Sequence, residues 1–379
     1  MKYGILLNNR TDNIGDDIQS YAACRFLPSI DYYVDRENLD TFGYGEIEEP
    51  VTVIMNAWYM YNKFNWPPAG IINPLFISVH FSERDYYGIK DKYLDTIGGD
   101  YLRHYAPIGA RDDATRDILI RKGIESYYSG CLTLTLDIPN VTGKEEETIL
   151  VDLSEEDESA IREEYPSYDF GNATHILNPN IYQNVSPDIR MKNVEELLAR
   201  YKRSKCVITS RMHCALPCLA LGTPVLLVYK QENLNRFSSF LPLLHSAESG
   251  TLKQIRTFFD IANPPENPNT FLQLRSNLEN RCRDFIANSE KGIYPQSFNV
   301  PLEDIHLWQK QIMKGSDLSI RNTVDDLTKW IHTLEEIRDW NAKQLENANR
   351  QLARYYKIRD ILGMGENGLI NKLLCRIKK

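Results

Sequence analysis

The sequence predicts an α/β protein of two Rossmann-like domains that face a cleft, followed by a C-terminal helical extension. Three observations carry that reading. Short apolar runs alternate with helical patterns over the first 230 residues, a polar segment divides the alternation in two, and after Leu244 the pattern turns helical. Brief apolar strands separated by helices pair through crossovers, so the alternation implies mostly parallel sheets.

In the first cycle, residues 2–8, 51–57, 74–80 and 105–109 read as buried strands, each bounded by polar or turn residues. Residues 16–26 and 113–122 carry apolar side chains at helical spacing, the second stretch ending before Gly123, a C-terminal cap residue. The opening MKYGILLNNR has too short an apolar run for a signal peptide, and no window approaches the ~18 apolar residues of a membrane span. TGKEEE at 142–147 reads as the linker. A second cycle follows it: strand 148–153, a helix capped by Ser154 and reaching Tyr165, strand 173–177, helix 193–202, strand 206–209, helix 212–221 and strand 224–229. Gly222-Thr223-Pro224 makes a sharp helix-to-strand turn. The expected domains are 1–145 and 146–320, with the extension at 321–379.

That extension opens with a seam. Positions 324, 327, 331, 334, 338, 341, 345, 348, 352 and 355 hold Val, Leu, Ile, Leu, Arg, Asn, Leu, Ala, Leu and Tyr, a 3/4 spacing broken by Arg338 and Asn341. Such a seam marks a coiled coil or a helix docked along a partner, and a homo-oligomer is expected through it. The last eleven residues carry Lys372, Arg376, Lys378 and Lys379 with no acid, beside Leu369, Ile370, Leu373, Leu374 and Ile377. A basic amphipathic helix of this kind can lie on an anionic membrane surface; a solvated tail is the other reading.

Composition narrows the function classes. The 379 residues hold 44 Lys+Arg against 52 Asp+Glu, a formal net charge of -8, which speaks against a general nucleic-acid binder. Residues 323–379 carry 11 basic and 8 acidic side chains, so the acidity belongs to the preceding body. Seven cysteines without a CxxC pair, several inside apolar segments, read as reduced buried thiols in a cytosol-like compartment. Cys214 and Cys218 beside His213 have metal-ligand types, but two thiols on an apolar helix read better as core, and no metal is expected.

Three segments share one grammar, in which a strand ends, polar residues follow and a helix begins. In open parallel sheets such junctions gather at the carboxyl edge, where ligands bind. In NNRTDNIGDDIQS at 8–20, Gly15 lets the backbone approach a ligand, and Asn13, Asp16 and Asp17 surround the helix start. In IGARDDATRD at 108–117, Arg111 precedes a helix that Asp112 or Asp113 can cap, so its guanidinium and the helix amides can share an anion. In CVITSRMHCALPCLALGTPVLLVY at 206–229, Ser210 is the expected cap of a helix whose first turn holds Arg211 and His213 amid apolar residues. An unpaired cation there is costly, so Arg211 calls for an anion. His213 is either a proton carrier near neutral pH or a hydrogen-bonded structural residue. His80 follows another strand, Asn56, Trp58 and Tyr59 end a third and offer a sugar-stacking face, and Lys230 and Arg236 follow the last. No Walker loop, GxSxG or HExxH occurs.

NIGDD, GARDDAT and TSRMHCALPCLALGTPVL, in that order, resemble the polysaccharide pyruvyl transferase family over residues 1–240. The resemblance implies a two-domain, GT-B-like fold. It also implies transfer of a pyruvyl group from phosphoenolpyruvate onto two hydroxyls of a glycan sugar, giving a cyclic ketal and phosphate in cell-surface polysaccharide biosynthesis. On that resemblance the donor lies on Arg211, His213 and Arg111, with Ser210 beside them. His213 then acts as proton donor or phosphate-side acid and Asp16 as base, while Asn13, Gly15, Asp17, Asn56, Trp58 and His80 face the acceptor. No cofactor is implied beyond phosphoenolpyruvate as donor substrate. A lipid-linked acceptor at the inner face of the cytoplasmic membrane is the corresponding location, with peripheral contact through the tail. The chain departs from the family in NAWY at 56–59 and SVHF at 78–81, where many members carry glycine-rich and GQG-like segments. Two alternatives share this architecture: a GT-B-type glycosyltransferase using a nucleotide sugar, and a noncatalytic glycan-binding or scaffold protein.

Overall fold

KYGILL forms the first strand because five of its six residues are buried, the signature of a strand covered on both faces in a parallel sheet. In the computed structural model, residues 1–60, 65–81, 90–314, 328, 331–332, 334–343, 345–346 and 348–353 are described. Two compact units divide the chain, Met1–Ile312 and Met313–Lys379.

The first half of unit one contains strands β1 (Lys2–Leu7), β2 (Tyr32–Asp35), β3 (Val51–Ile54), β4 (Trp58–Tyr59), β5 (Ile72–Leu75), β6 (His80–Phe81), β7 (Ile108–Ala110) and β8 (Ser126–Tyr128). Its helices are α1 (Ile14–Cys24), α2 (Lys90–Asp95), α3 (Ile97–His104) and α4 (Asp113–Arg121). The main sheet runs β2-β1-β3-β5 with every pair parallel. β4 pairs with β6 and β7 with β8, and a bridge from Val79 to Ala110 links the short ladders.

The second half has strands β9 (Thr148–Val151), β10 (Phe170–Ala173), β11 (Cys206–Thr209), β12 (Val225–Tyr229) and β13 (His245–Glu248), in the parallel order β10-β9-β11-β12-β13. Helices α5 (Glu155–Glu164), α6 (Pro179–Tyr182), α7 (Pro187–Arg203), α8 (Met212–Leu221) and α9 (Leu234–Phe237) belong to it. α10 (Leu272–Glu290) and α11 (Leu302–Lys314) follow. Two parallel sheets with flanking helices, facing a cleft, make the architecture GT-B-like. The halves also share one core. Ile18 and Ile54 cluster with Leu132, Leu134, Val151, Val207 and Leu227, and the wholly buried turn Leu132–Thr135 lies in that cluster. Cys214 and Cys218 are part of it too, fully buried.

Local rules place most boundaries. Ser154 caps α5 through the Asp157 amide, Gly123 takes φ +66 after α4, and Gly222 ends α8 in the left-handed region at φ 73. Other boundaries moved. The strand expected at 173–177 lies at Phe170–Ala173, because the register pairs Phe170 with Thr148. The residues after it cross to the first half instead: Ile14 N donates to His175 O at 3.0 Å and Leu177 N to Asp12 O at 2.7 Å. α7 starts at Pro187, earlier than 193, since proline suits the first helical turn. The strand at 105–109 begins only at Ile108, because Tyr105 closes α3.

In the second unit the described residues between 331 and 353 are helical. Ile331, Leu334, Ile337, Trp340, Leu345 and Leu352 are exposed there. Ile337 and Trp340 carry the apolar stripe past Arg338 and Asn341, which the seam reading treated as breaks; two successive three-residue steps shift the stripe by one position. Positions 324, 327 and 355 of the seam and the basic tail at 369–379 lie outside the described residues. Among the described residues, no helix is long and apolar enough to cross a membrane.

Candidate active site

Strand-to-helix junctions of both halves open onto one cleft of about 690 Å³. Asn13, Asp16, Trp58, His80 and Arg111 line it from the first half, and Asp152, His175, Ser210, Arg211 and His213 from the second. Lys230 and Arg236 line its far side.

Arg111 is the unusual group. Only 2% exposed, it follows β7 and is fixed by its amide, which donates to Val79 O at 2.7 Å. Its Nε and Nη2 have no hydrogen-bond partner among the described residues. The nearest carboxylate, Asp112, sits 3.5 Å from Nε. That carboxylate is already engaged, one oxygen by His80 Nδ1 at 2.7 Å and the other by the Thr115 amide at 2.9 Å as the cap of α4. Burial of an incompletely satisfied guanidinium costs several kcal/mol unless an anion joins it.

His213 lines the cleft from the second half. The residue is partly exposed, but its Nε2 is buried without a partner among the described residues, and its pKa is lowered well below the usual imidazole value. Burial is the main cause, followed by the positive field of Arg111 and then His175, Arg236 and His80. A shift in that direction favours the neutral ring. Gly15 sits against this ring. A Cβ there would come within 2.9 Å of Asn13 Oδ1 and 3.1 Å of His213 Nδ1, so the glycine permits the close approach of α1 to His213.

Arg211 finds its anion inside the protein. Nε donates to Asp152 Oδ2 at 2.8 Å, and Asp152, at the end of β9 with φ 50, also accepts from the His175 amide. Ser210 does not cap α8. Its hydroxyl donates to the Asp152 carbonyl at 2.5 Å, the helix starts one residue later than a Ser210 cap requires, and Arg211 holds the cap position without a side-chain capping bond. Among the described residues, the first amides of α8 thus receive no capping bond from the Arg211 side chain.

The remaining candidates divide between cleft and core. Asn13 lines the cleft and caps α1, accepting from Gly15 N at 2.9 Å. Asp16 also lines it, with Oδ2 taken by Thr11 Oγ1 at 2.7 Å and Asn8 Nδ2 at 3.0 Å. Trp58 presents its ring at the cleft with the Arg36 guanidinium 5.1 Å from its centroid, whereas Tyr59 is core, packed on Trp66 and Phe81. Two acceptor-side expectations are overturned by burial. Asp17 is fully buried against Arg190, and Asn56 is buried with its amide donating to Gln19 O at 2.8 Å behind α1. Asp152 and His175 were missed, although VDLSEED after β9 follows the same strand-polar-helix grammar as the three junctions singled out.

The family model described as polysaccharide pyruvyl transferase matches residues 13–230, from the cap of α1 to Lys230 at the cleft rim. The chain belongs to the polysaccharide pyruvyl transferase family. Membership makes it a transferase of polysaccharide biosynthesis, and the matched span holds the cleft walls from Asn13 to His213. Among solved structures it is similar to a functionally uncharacterised protein of Klebsiella pneumoniae, 14% identical over 65% of this chain and 92% of that one, with a TM-score of 0.38. It is also similar to the UDP-GlcNAc 2-epimerase of Methanocaldococcus jannaschii, 13% identical over 74% of this chain and 98% of that one, with a TM-score of 0.41. The structure of that epimerase in complex with UDP-GlcNAc and UDP gives 0.38 at the same identity and coverage. No curated protein matches the chain.

Proposed function

We propose that this transferase moves the pyruvyl group of phosphoenolpyruvate onto two hydroxyls of a glycan sugar, forming a cyclic ketal and releasing phosphate. The observation that best supports the reading is the buried guanidinium of Arg111 at the cleft, whose Nε and Nη2 make no hydrogen bond among the described residues. A small ligand carrying both a carboxylate and a phosphate supplies the anion this group lacks, with Arg211 and the first turn of α8 close by.

In the chemistry, the donor's methylene carbon C3 takes a proton, and the adjacent carbon C2 gains positive character. One sugar hydroxyl adds to C2, the second displaces phosphate, and both hydroxyl protons must be removed. His213 fits the acid role through its coupling to Arg111. When the donor neutralises that cation, one cause of the depressed pKa, second to burial, is relieved, which shifts the ring toward accepting a proton. Asp16 is the base for one hydroxyl through its Oδ1, since Oδ2 is held by Thr11 and Asn8.

Phosphoenolpyruvate is expected to raise the melting temperature and to release phosphate only when an acceptor sugar is present. If it neither shifts the melting temperature nor binds in calorimetry, the reading fails. Stabilisation by a nucleoside diphosphate in its place supports the glycosyltransferase alternative.

The exposed stripe through Ile331, Leu334, Ile337, Trp340, Leu345 and Leu352 is proposed as the contact between copies of the chain. Leu345→Glu with Leu352→Glu is expected to lower the mass seen in sedimentation equilibrium. An unchanged mass removes the stripe from the account.

A further inference from the structure

The ketal reaction takes a proton from each of two acceptor hydroxyls, and Asp16 accounts for one. We infer that His80, held by Asp112, is the base for the other, an inference that rests on the pyruvyl-transfer reading. The parallel ladder of β4 and β6 sets His80 directly opposite Trp58, so imidazole and indole stand side by side on the acceptor wall of the cleft.

The hydrogen bonds fix which nitrogen is basic. His80 Nδ1 lies 2.7 Å from Asp112 Oδ2 and 3.1 Å from Thr115 Oγ1. Asp112 is fully buried and held below the ordinary carboxylate range: burial works against that shift, but the hydrogen bond and charge of His80, then Arg111 and the Thr115 amide, outweigh it. An ionised carboxylate only accepts, so Nδ1 carries the proton and Nε2 keeps its lone pair. Nε2 has no hydrogen-bond partner among the described residues, and the ring, 3% exposed, lines the cleft. Burial and then Arg111 lower the imidazole pKa to about 4, with Arg236 acting the same way and Asp112 opposing, so the ring stands neutral at working pH. The geometry is that of a base oriented by a carboxylate behind it.

In the step assigned here, the second hydroxyl oxygen forms its bond to C2 while the bond from C2 to the phosphate oxygen breaks. The bonding electron pair leaves with phosphate. The hydroxyl proton passes to His80 Nε2 and from there to the departing phosphate, so no net charge or proton remains on the protein.

The test compares His80→Gln, His80→Gly and Asp112→Asn in the full chain. Asparagine keeps the cap of α4 but turns an amide N–H toward Nδ1, which drives the ring proton to Nε2. Phosphoenolpyruvate affinity by calorimetry is expected to stay within about threefold, while phosphate release with aryl hexosides bearing free 4- and 6-hydroxyls falls ~10²–10⁴-fold. Added imidazole is expected to restore part of the rate to His80→Gly and none to Asp112→Asn, a rescue that a packing role would not show. Turnover retained in His80→Gln, or donor affinity lost in step with turnover, overturns the inference. Failure of the wild type to bind phosphoenolpyruvate overturns the underlying reading instead, and this inference with it.

Discussion

Arg111→Met is expected to abolish stabilisation by phosphoenolpyruvate and, in the empty protein, to raise stability. The two signs come from one cause. The guanidinium is buried with two nitrogens lacking hydrogen bonds among the described residues, and Asp112, its nearest carboxylate, is committed to His80 and Thr115. An apolar chain of similar length removes that desolvation cost, a gain of ~1–3 kcal/mol. With the donor bound, the same nitrogens complete a desolvated charge pair, and losing them costs ~2–5 kcal/mol, or roughly 30- to 5000-fold in affinity. Thermal unfolding with and without phosphoenolpyruvate measures both effects. A variant that loses stability when empty and still responds to the donor would place the anion elsewhere.

Asp17→Asn is expected to destabilise the protein by ~3–5 kcal/mol, a large part of the ~5–15 kcal/mol that stabilises an ordinary fold. Asp17 accepts from Arg190 Nε at 3.0 Å, Arg190 Nη2 at 2.5 Å and the Tyr182 hydroxyl at 2.6 Å, all in the interior. Arg190 also donates to Asn8 O at 2.8 Å, so this cluster ties α1 and the loop before it to α6 and α7. Neutralising the carboxylate leaves the buried Arg190 charge uncompensated. Asp17→Asn combined with Arg190→Met should therefore recover most of the loss, because the penalty comes from one widowed charge more than from the missing pair. Denaturant midpoints decide it; a single-variant loss below about 1 kcal/mol would show that water reaches the cluster.

Much of the fold was legible because its signals are local. Buried runs such as VTVI, TILV and CVIT mark strands, and Ser154, Gly123 and Gly222 mark helix ends within a turn of themselves. β2 was less visible, since YYVD buries only its third residue. The helix-start grammar brought Asn13, Asp16, Arg111, Arg211 and His213 to one cleft, yet it could not tell Asp16 from Asp17. The neighbours differ by one step on α1, which turns one carboxylate to the cleft and the other into the interior.

By itself, then, the sequence determined the parallel α/β cycles, the junctions that carry polar side chains and the family motifs. Tertiary structure alone decided the state of each charge. Asp17 meets Arg190 across 173 positions, Arg211 meets Asp152 across 59, and His80 meets Asp112 across 32. Capping and helical periodicity act within about four residues, so they can be read along the chain. Whether a buried cation is satisfied depends on which distant carboxylate the packing brings to it; the fold supplies one to Arg190 and one to Arg211, and leaves Arg111 facing the cleft without a hydrogen-bonded anion.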